Sequence, residues 1–327
     1  MSTHMASTAV TSAQSRLLHF PVSMFAIAMG LAGFAVAWKA VAAMWLPELD
    51  IWRYISWLAA AVFVVVLCLY LLKWLRYPAA VREEINHPVK LNFFPTMSIA
   101  MLLFATVWME YTLIARVLWI AALVIQLPLT LFVLSHWIYQ PHYTHGHVNP
   151  SWFIPVVGNM VVPITGVSLG YHEISWFFFS VGLLFWLVLL TIVMQRLFFL
   201  EALPARLTPT LFILMAPPAV GVVAYLALNH ELDNFVRILF YVTIFFALLL
   251  FINAWRFFQL PFFISSWAYS FPLAAATVAC VKMAHIMPGI FIHSLVVLLF
   301  GALNIIITWL LYKTLLAIRN RAICQPE

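Results

Sequence analysis

Four histidines fall in one short stretch, residues 136–147, where side chains of this type could bind a metal ion. Imidazole nitrogens are common ligands of zinc and copper. The spacing matches no closed zinc site, and a proline and a glycine interrupt it. The sequence therefore favours a solvated loop over a metal site, and we expect no cofactor. The four residues are His136, His142, His145 and His147.

The chain shows no residue pattern that could support catalysis. It has no P-loop, no zinc-protease helix and no hydrolase nucleophile elbow. The cysteines Cys68, Cys280 and Cys324 have neither metal-binding nor redox spacing. We therefore expect that the protein is not an enzyme.

The carboxylates fall at the ends of apolar runs or in loops. Proton- and cation-coupled transporters usually hold acidic or histidine side chains within the membrane. Cation channels usually need rings of acidic side chains. A passive path for anions needs neither, so the pattern favours an uncharged anion pathway.

One stretch places a large aromatic side chain next to a proline near the middle of an apolar run. Phe271 lies about ten residues from one end of the run, or roughly 15 Å along a helix. This depth is close to the midplane of a hydrocarbon core about 30 Å thick. Pro272 removes a backbone hydrogen bond and favours a bend there. Phe271 is therefore a candidate pore gate, although packing or lipid contact is the ordinary role of a phenylalanine.

Composition indicates an integral membrane protein. The chain of 327 residues is 66% hydrophobic and 8% charged, with a mean hydropathy of +1.06. Soluble domains carry about 25% charged residues. The net charge of +6 comes from basic residues at the ends of apolar runs, so we expect no nucleic-acid partner.

Ten apolar runs are long enough to cross a bilayer and predict an all-α fold of five helical hairpins. We expect a membrane domain over 20–316, with cytoplasmic tails at 1–19 (disordered) and 317–327. Eleven basic residues lie on the side of both termini and five on the other, which predicts cytoplasmic termini. The runs are 20–44, 51–75, 91–109, 114–138, 151–171, 174–199, 207–229, 235–255, 261–285 and 289–316, numbered below as spans 1 to 10.

Prolines and glycines concentrate in the odd-numbered spans. Bent helices with freed backbone groups are best tolerated against protein or a water-filled path. We therefore predict five kinked inner helices around a pore and five straighter outer helices. Membrane helices are rich in glycine and proline in general, which is the alternative explanation.

The roles of Asn159, Asn304 and His293, polar residues within spans, need separate consideration. Asn159 and Asn304 are expected to form hydrogen bonds between helices, and pore lining is the alternative for Asn159. His293 is expected to be a packed or interfacial residue rather than a proton relay.

Five groups of residues follow one another in order, on the odd spans or directly before one. They are Phe25-Ala26-Ile27-Ala28-Met29-Gly30, Glu84-Ile85-Asn86-His87-Pro88-Val89, Pro155-Val156-Val157-Gly158-Asn159 with Leu169-Gly170-Tyr171, Ala216-Pro217-Pro218-Ala219 with Ala224-Tyr225-Leu226 and Asn229, and Trp267-Ala268-Tyr269-Ser270-Phe271. Together these motifs resemble the TehA tellurite-resistance family, which includes plant guard-cell slow anion channels and fungal malate and sulphite transporters. The resemblance covers essentially all ten spans.

The resemblance implies a homotrimer in a bacterial inner membrane, with a pore inside each protomer. It implies a gated channel for small monovalent anions, chloride or nitrate, with Phe271 occluding the pore near mid-membrane. The alternative is a transporter of C4-dicarboxylates, sulphite or tellurium oxyanions. The candidate pore-lining or kink residues are Ala26, Gly30, Pro95, Asn159, Pro163, Pro217 and Pro272.

Overall fold

The protein is described here from a computed structural model that covers residues 16–140, 143–229 and 231–325. These ranges contain α-helices and 3₁₀-helices and no β-strand. They include nine helices that are long and apolar enough to cross a membrane. The predicted all-α membrane fold is therefore confirmed. Most of the predicted N-terminal tail, and His142, lie outside the described residues.

Each odd-numbered span begins with a 3₁₀ segment and continues as an α-helix. Span 5 is the shortest, with a three-residue 3₁₀ turn and a 14-residue helix, and it is not among the nine. The two parts are Val22–Met24 and Phe25–Trp45 (span 1), Lys90–Phe93 and Thr96–Val107 (span 3), Pro150–Trp152 and Phe153–Gly166 (span 5), Thr208–Met215 and Ala216–Asn229 (span 7), and Ile264–Tyr269 and Ser270–Ile286 (span 9).

In spans 3, 7 and 9 a proline marks the junction between the two parts. Pro95 directly precedes the α-helix of span 3, while Pro217 and Pro272 lie in the first turn of theirs. The first turn tolerates proline because its N–H groups have no partner within the helix. At these junctions the helix type changes from 3₁₀ to α, in place of a bend within one α-helix. Pro163 differs, because it lies inside the α-helix of span 5.

The even-numbered spans are uninterrupted α-helices. Pro128 lies inside one of them, in span 4. Their bounds are Ile51–Arg76 (span 2), Thr112–Tyr139 (span 4), His172–Phe199 (span 6), Asn234–Ile252 (span 8) and Ile290–Arg319 (span 10).

The odd spans form a closed ring in chain order, since 1 packs on 3, 3 on 5, 5 on 7, 7 on 9, and 9 returns to 1. Each even span packs on the outside against the odd span that precedes it. Burial follows the same division: four odd spans are 72–89% buried along their apolar stretches, against 22–44% for the five even spans. The predicted inner and outer helices are therefore confirmed.

The outer faces of the even spans carry many exposed apolar side chains, as a lipid-facing surface does. Two shorter helices lie between spans, Pro78–Asn86 before span 3 and Ala254–Phe258 before span 9. The 3₁₀ segments that begin the five odd spans lie at the same end of the ring, because each odd span after the first starts from the side on which the preceding even span ends. That end is the predicted cytoplasmic side.

Candidate functional site

A narrow cavity of about 20 Å³ lies inside the ring of inner spans. This volume has room for about one water molecule. All five inner spans contribute to its wall, and every contributing side chain is apolar. The lining residues are Ala26, Met29, Phe93, Ile99, Ile154, Val157, Ile213, Ala216, Ala268, Phe271 and Pro272.

Phe271 is the second residue of the α-helix of span 9, directly after the 3₁₀ segment. Its side chain lines the cavity and is 6% exposed. Its ring also lies against Gly33 of span 1, since a Cβ built on Gly33 would stand 3.4 Å from Cδ2 of Phe271. The ring therefore fills the space between span 9 and span 1.

The backbone before Phe271 is fixed by contacts with neighbouring spans. The buried Trp267 donates a hydrogen bond from Nε1 to Oγ1 of Thr314 in span 10, at 3.0 Å. The ring of Tyr269 packs edge-on against that of Phe212 in span 7, with centroids 4.8 Å apart. These contacts hold the 3₁₀ segment in place, while the Phe271 side chain borders the cavity.

A second aromatic ring, that of Phe93, lines the same cavity from the 3₁₀ segment of span 3. Sequence reasoning missed this residue, together with Met29, Ile154 and Val157. Spacings of three residues, as from Ala26 to Met29, place two side chains on one helix face and could have indicated them. Such spacings are common in buried helices, so the signal is weak without knowledge of the ring.

The other candidate residues occupy two kinds of position. Ala26 and Pro272 line the cavity beside Phe271. Gly30 instead faces span 9, because a Cβ there would stand 2.9 Å from Cβ of Ser270. Pro95 and Pro217 lie at the helix junctions described above, outside the cavity wall.

Asn159 takes part in hydrogen bonds between spans and does not line the cavity. It is fully buried, and its Nδ2 donates to Oγ1 of Thr130 in span 4 at 3.1 Å and to the carbonyl of Pro155 at 3.1 Å. The bond to Thr130 is an interhelical hydrogen bond of the kind expected for Asn159. Asn304 does the same, accepting a bond from Nε1 of Trp38 at 3.2 Å.

Gln126 of span 4, which sequence reasoning missed, completes this polar network. Its Oε1 accepts from Oγ of Ser98 at 2.6 Å, and its Nε2 donates to the carbonyl of Pro155 at 2.9 Å. Gly158 makes room for it, because a Cβ there would lie 2.5 Å from Nε2. An outer span thus binds two inner spans together behind the cavity wall.

A buried ion pair lies on the predicted cytoplasmic side. Nζ of Lys73 stands 3.2 Å from Oε1 of Glu84, and both side chains are nearly inaccessible to solvent. Lys73 also donates to the carbonyl of Phe20 at 2.8 Å, and the hydroxyl of Tyr70 donates to Glu84 at 2.8 Å. The pair joins span 2 and the helix Pro78–Asn86 to the start of span 1, which is a structural reason for the Glu84 motif.

The loop histidines form local contacts. His147 Nδ1 accepts from the backbone N–H of Thr144 at 3.2 Å, and His136 Nδ1 lies 3.1 Å from the carbonyl of Phe132. Among the described residues, no three His, Cys, Asp or Glu side chains lie close enough to hold a metal ion. His293 lies 2.9 Å from the carbonyl of Gly289 and stacks on Trp45.

Comparison with known proteins places these features in one family. The model of the family described as SLAC1, voltage-dependent anion channel, matches residues 19–315, which include the five inner spans and nearly all of the outer ones. The matched region therefore contains the ring, the cavity and the buried ion pair.

Individual relatives come from plants, bacteria and archaea. The S-type anion channel SLAH2 of Arabidopsis thaliana is 30% identical over 92% of this chain and 59% of its own length. The guard cell S-type anion channel SLAC1 of the same plant is 30% identical over 84% of this chain and 51% of its own. The tellurite resistance protein TehA homolog of Haemophilus influenzae is 29% identical over 84% of this chain and 85% of its own. The chain thus spans about half the length of these plant channels and most of the bacterial protein.

Proposed function

The chain belongs to the SLAC1 family of voltage-dependent anion channels, and from this membership we propose a specific activity for it. The protein is a gated channel for small monovalent anions such as chloride and nitrate. The anions pass through the ring of inner spans within each protomer. The side chain of Phe271 closes this path in the resting state of the channel.

The observation that carries the proposal is the cavity at Phe271. It is about 20 Å³ in volume, its wall is apolar, and all five inner spans contribute to it. A narrow apolar constriction excludes both ions and the water that would hydrate them. A path that is closed by side chains and enclosed by a complete ring has the form of a shut pore.

Opening requires the ring of Phe271 to leave the cavity. The 3₁₀ segment before it is held through Trp267 and Tyr269 by contacts with spans 10 and 7. A rotation of the Phe271 side chain leaves these contacts intact, whereas a movement of span 9 breaks them. We therefore propose that the gate opens by side-chain rotation.

The lining favours anions over cations because it lacks acidic side chains. No acidic side chain is among the residues that line the cavity, so nothing there attracts a cation. Without a tight binding group, the path would select by pore width and by the ease with which an anion sheds its water.

A carrier of C4-dicarboxylates, sulphite or tellurium oxyanions is the second candidate. The name of the Haemophilus influenzae relative, a tellurite resistance protein, and that of an archaeal relative, an uncharacterized transporter, favour it. A carrier saturates with substrate and often couples to protons, whereas an open channel does neither.

We propose that three copies assemble in a bacterial inner membrane, each with its own pore and with both termini in the cytoplasm. The family resemblance supports the trimer, and the exposed apolar faces of the outer spans offer surface for both lipid and neighbouring copies. The distribution of basic residues supports the orientation.

Reversal potentials of the Phe271→Ala variant in planar bilayers test the proposed function. With chloride on one side and nitrate, sulphate or malate on the other, we expect nitrate and chloride to carry current and the divalent anions to carry little. We also expect no dependence on a proton gradient. Saturating, proton-coupled flux of a dicarboxylate would instead establish the carrier.

A further inference from the structure

The α-helix of span 9 carries one stripe of side chains that are slightly more exposed than the rest. Phe271, Ala275 and Val278 are 6–9% exposed, whereas Leu273, Ala274, Ala276, Thr277, Ala279 and Cys280 are 0–1% exposed. Ala268, in the 3₁₀ segment directly before this helix, is 6% exposed. Steps of three and four residues keep the members of the stripe on one face of a helix. Because Ala268 and Phe271 line the cavity, this is the face of span 9 that borders the lumen.

Lys282 continues this stripe toward the predicted outer side. It follows Phe271 by eleven residues, which is about three helical turns and about 16 Å along the axis. Its side chain is exposed, although Val281 and Met283 on either side of it are 2% and 1% exposed.

The packing of span 9 leaves the lumen as the free face at this level. Span 1 and span 7 flank the helix within the ring, and span 10 packs on the outside. A side chain on the Phe271 face therefore points into the mouth of the path, between span 1 and span 7.

Lys282 also carries an unneutralised charge. Within the part of the chain that the structure describes, no carboxylate lies within ion-pair distance of it. Lys39, the other lysine on the outer half of an inner span, differs in this respect. It pairs with Glu110 at 3.4 Å and donates to the carbonyl of Val107 at 2.7 Å.

Hydroxyl groups lie on the cavity-facing sides of spans 3 and 5, closer to the outer end than the constriction. Thr106 follows the lining residue Ile99 by seven residues and Thr165 follows the lining residue Ile154 by eleven, and both steps return to the same helix face. Thr106 of span 3 and Thr165 of span 5 share a hydrogen bond of 2.8 Å between their Oγ1 atoms, and Thr106 is partly exposed. An anion that enters from the outer side would meet first a fixed positive charge and then polar side chains, before the apolar constriction.

We propose that Lys282 is the residue that concentrates anions at the outer mouth and thereby sets the rate at which they enter the pore. The ligand class is any small inorganic anion. The inference rests on the proposed channel function. A positive charge in a confined mouth raises the local anion concentration, and dissolved salt screens its effect.

The test uses single-channel recordings of Phe271→Ala protein in symmetrical potassium chloride. In ~20 mM salt we expect Lys282→Gln to lower the conductance about threefold and Lys282→Glu to lower it further. In ~1 M salt, where the Debye length is about 3 Å, we expect the difference to fall below about 1.5-fold. Lys282→Arg should retain the parent conductance at both concentrations.

Arg237→Gln is the matched control, because it removes one positive charge from the outer end of an outer span. We expect it to leave the conductance unchanged. A conductance of Lys282→Gln equal to that of the Phe271→Ala parent in ~20 mM salt would overturn the inference while leaving the channel itself intact. Absence of current from Phe271→Ala protein would instead count against the proposed function.

Chemical modification of a cysteine at position 282 tests whether this residue faces the lumen or the lipid. In Phe271→Ala/Lys282→Cys protein, a cationic thiol reagent added from the outer side should raise the low-salt current, and an anionic one should lower it. The Phe271→Ala protein with its three native cysteines, treated in the same way, is the control. Failure of both reagents to alter the current would show that residue 282 does not face the path, and would overturn the inference.

Discussion

The ring of Phe271 in span 9 lies against Gly33 in span 1: a Cβ built on Gly33 would stand 3.4 Å from Cδ2 of the ring. The same Cβ would stand 3.4 Å from Cβ of Ala274, so Gly33 faces span 9 with no side chain of its own. Both distances correspond to ordinary van der Waals contact, so Gly33 leaves room for about one carbon atom beside the Phe271 ring.

A side chain added at Gly33 should therefore replace the ring when the ring is removed. We expect Gly33→Leu, introduced into Phe271→Ala protein, to reduce the anion current on the order of tenfold, because the new side chain fills the vacated space. Voltage-clamp recording of the single and double variants measures this. Gly301→Leu is the control, since a Cβ on Gly301 of span 10 meets nothing within 4 Å. An unchanged current in the double variant would place Gly33 away from the path.

Substitution of Gly30, one turn before Gly33, should lower the stability of the protein rather than change the anion current. A Cβ on Gly30 would stand 2.9 Å from Cβ of Ser270 and 3.0 Å from Cε3 of Trp267. We expect Gly30→Ala to destabilise the protein by about 1–3 kcal/mol through overpacking, and Ser270→Gly to restore part of the loss. Thermal unfolding in detergent measures both. Gly289→Ala, which meets nothing within 4 Å, should leave the melting temperature unchanged.

Substitutions at Lys73 and Glu84, which form the buried ion pair, should have strongly coupled effects on stability. Removal of one partner leaves the other charge buried and unpaired, so we expect Lys73→Met or Glu84→Gln alone to cost about 3–5 kcal/mol of stability. The double variant should cost less than the sum of the two single variants. A double-mutant cycle by thermal unfolding gives the coupling, and strictly additive effects would contradict the pairing.

Asp233 should make stability depend on pH at the start of span 8. The N–H of Val236 donates to its carboxylate at 3.0 Å, and the Tyr225 hydroxyl donates to it at 2.8 Å, so the pKa of Asp233 lies below its usual value. A lowered pKa contributes stability above the unfolded-state value of about 3.9, and that contribution is lost as pH falls through the folded-state value. We therefore expect Asp233→Ala to melt at a lower temperature than the parent at neutral pH. The difference should shrink below about pH 4, and a difference that stays constant with pH would contradict this role.

The sequence predicted the spans and their division into inner and outer sets because both depend on properties that each helix carries alone. Apolar length predicted the spans. The excess of proline and glycine in odd spans predicted the inner set, and in spans 3, 7 and 9 a proline lies where the helix type changes. Span 5 was predicted at 151–171, and its regular helix ends earlier, at Gly166.

The site was harder to predict because its members meet only after the ring closes. Phe271 was found from its depth, its following proline and its family motif, whereas Phe93 and Ile213 carry no such signal. Gln126 and Lys73 were missed for a related reason. Their partners, Ser98 and Glu84, lie in other elements of the fold, and no spacing along the chain reveals the contact.

The current carried by Phe271→Ala tests the central claim most directly. Voltage-clamp recording in symmetrical chloride, at matched surface expression, should show a rise on the order of tenfold or more over the parent, because the ring leaves a cavity that all five inner spans enclose. Phe104→Ala is the control, because this buried phenylalanine of span 3 packs against Phe63 outside the cavity wall. We expect its removal to leave the anion current unchanged. A Phe271→Ala current no larger than that of the parent would contradict the assignment of Phe271 as the gate.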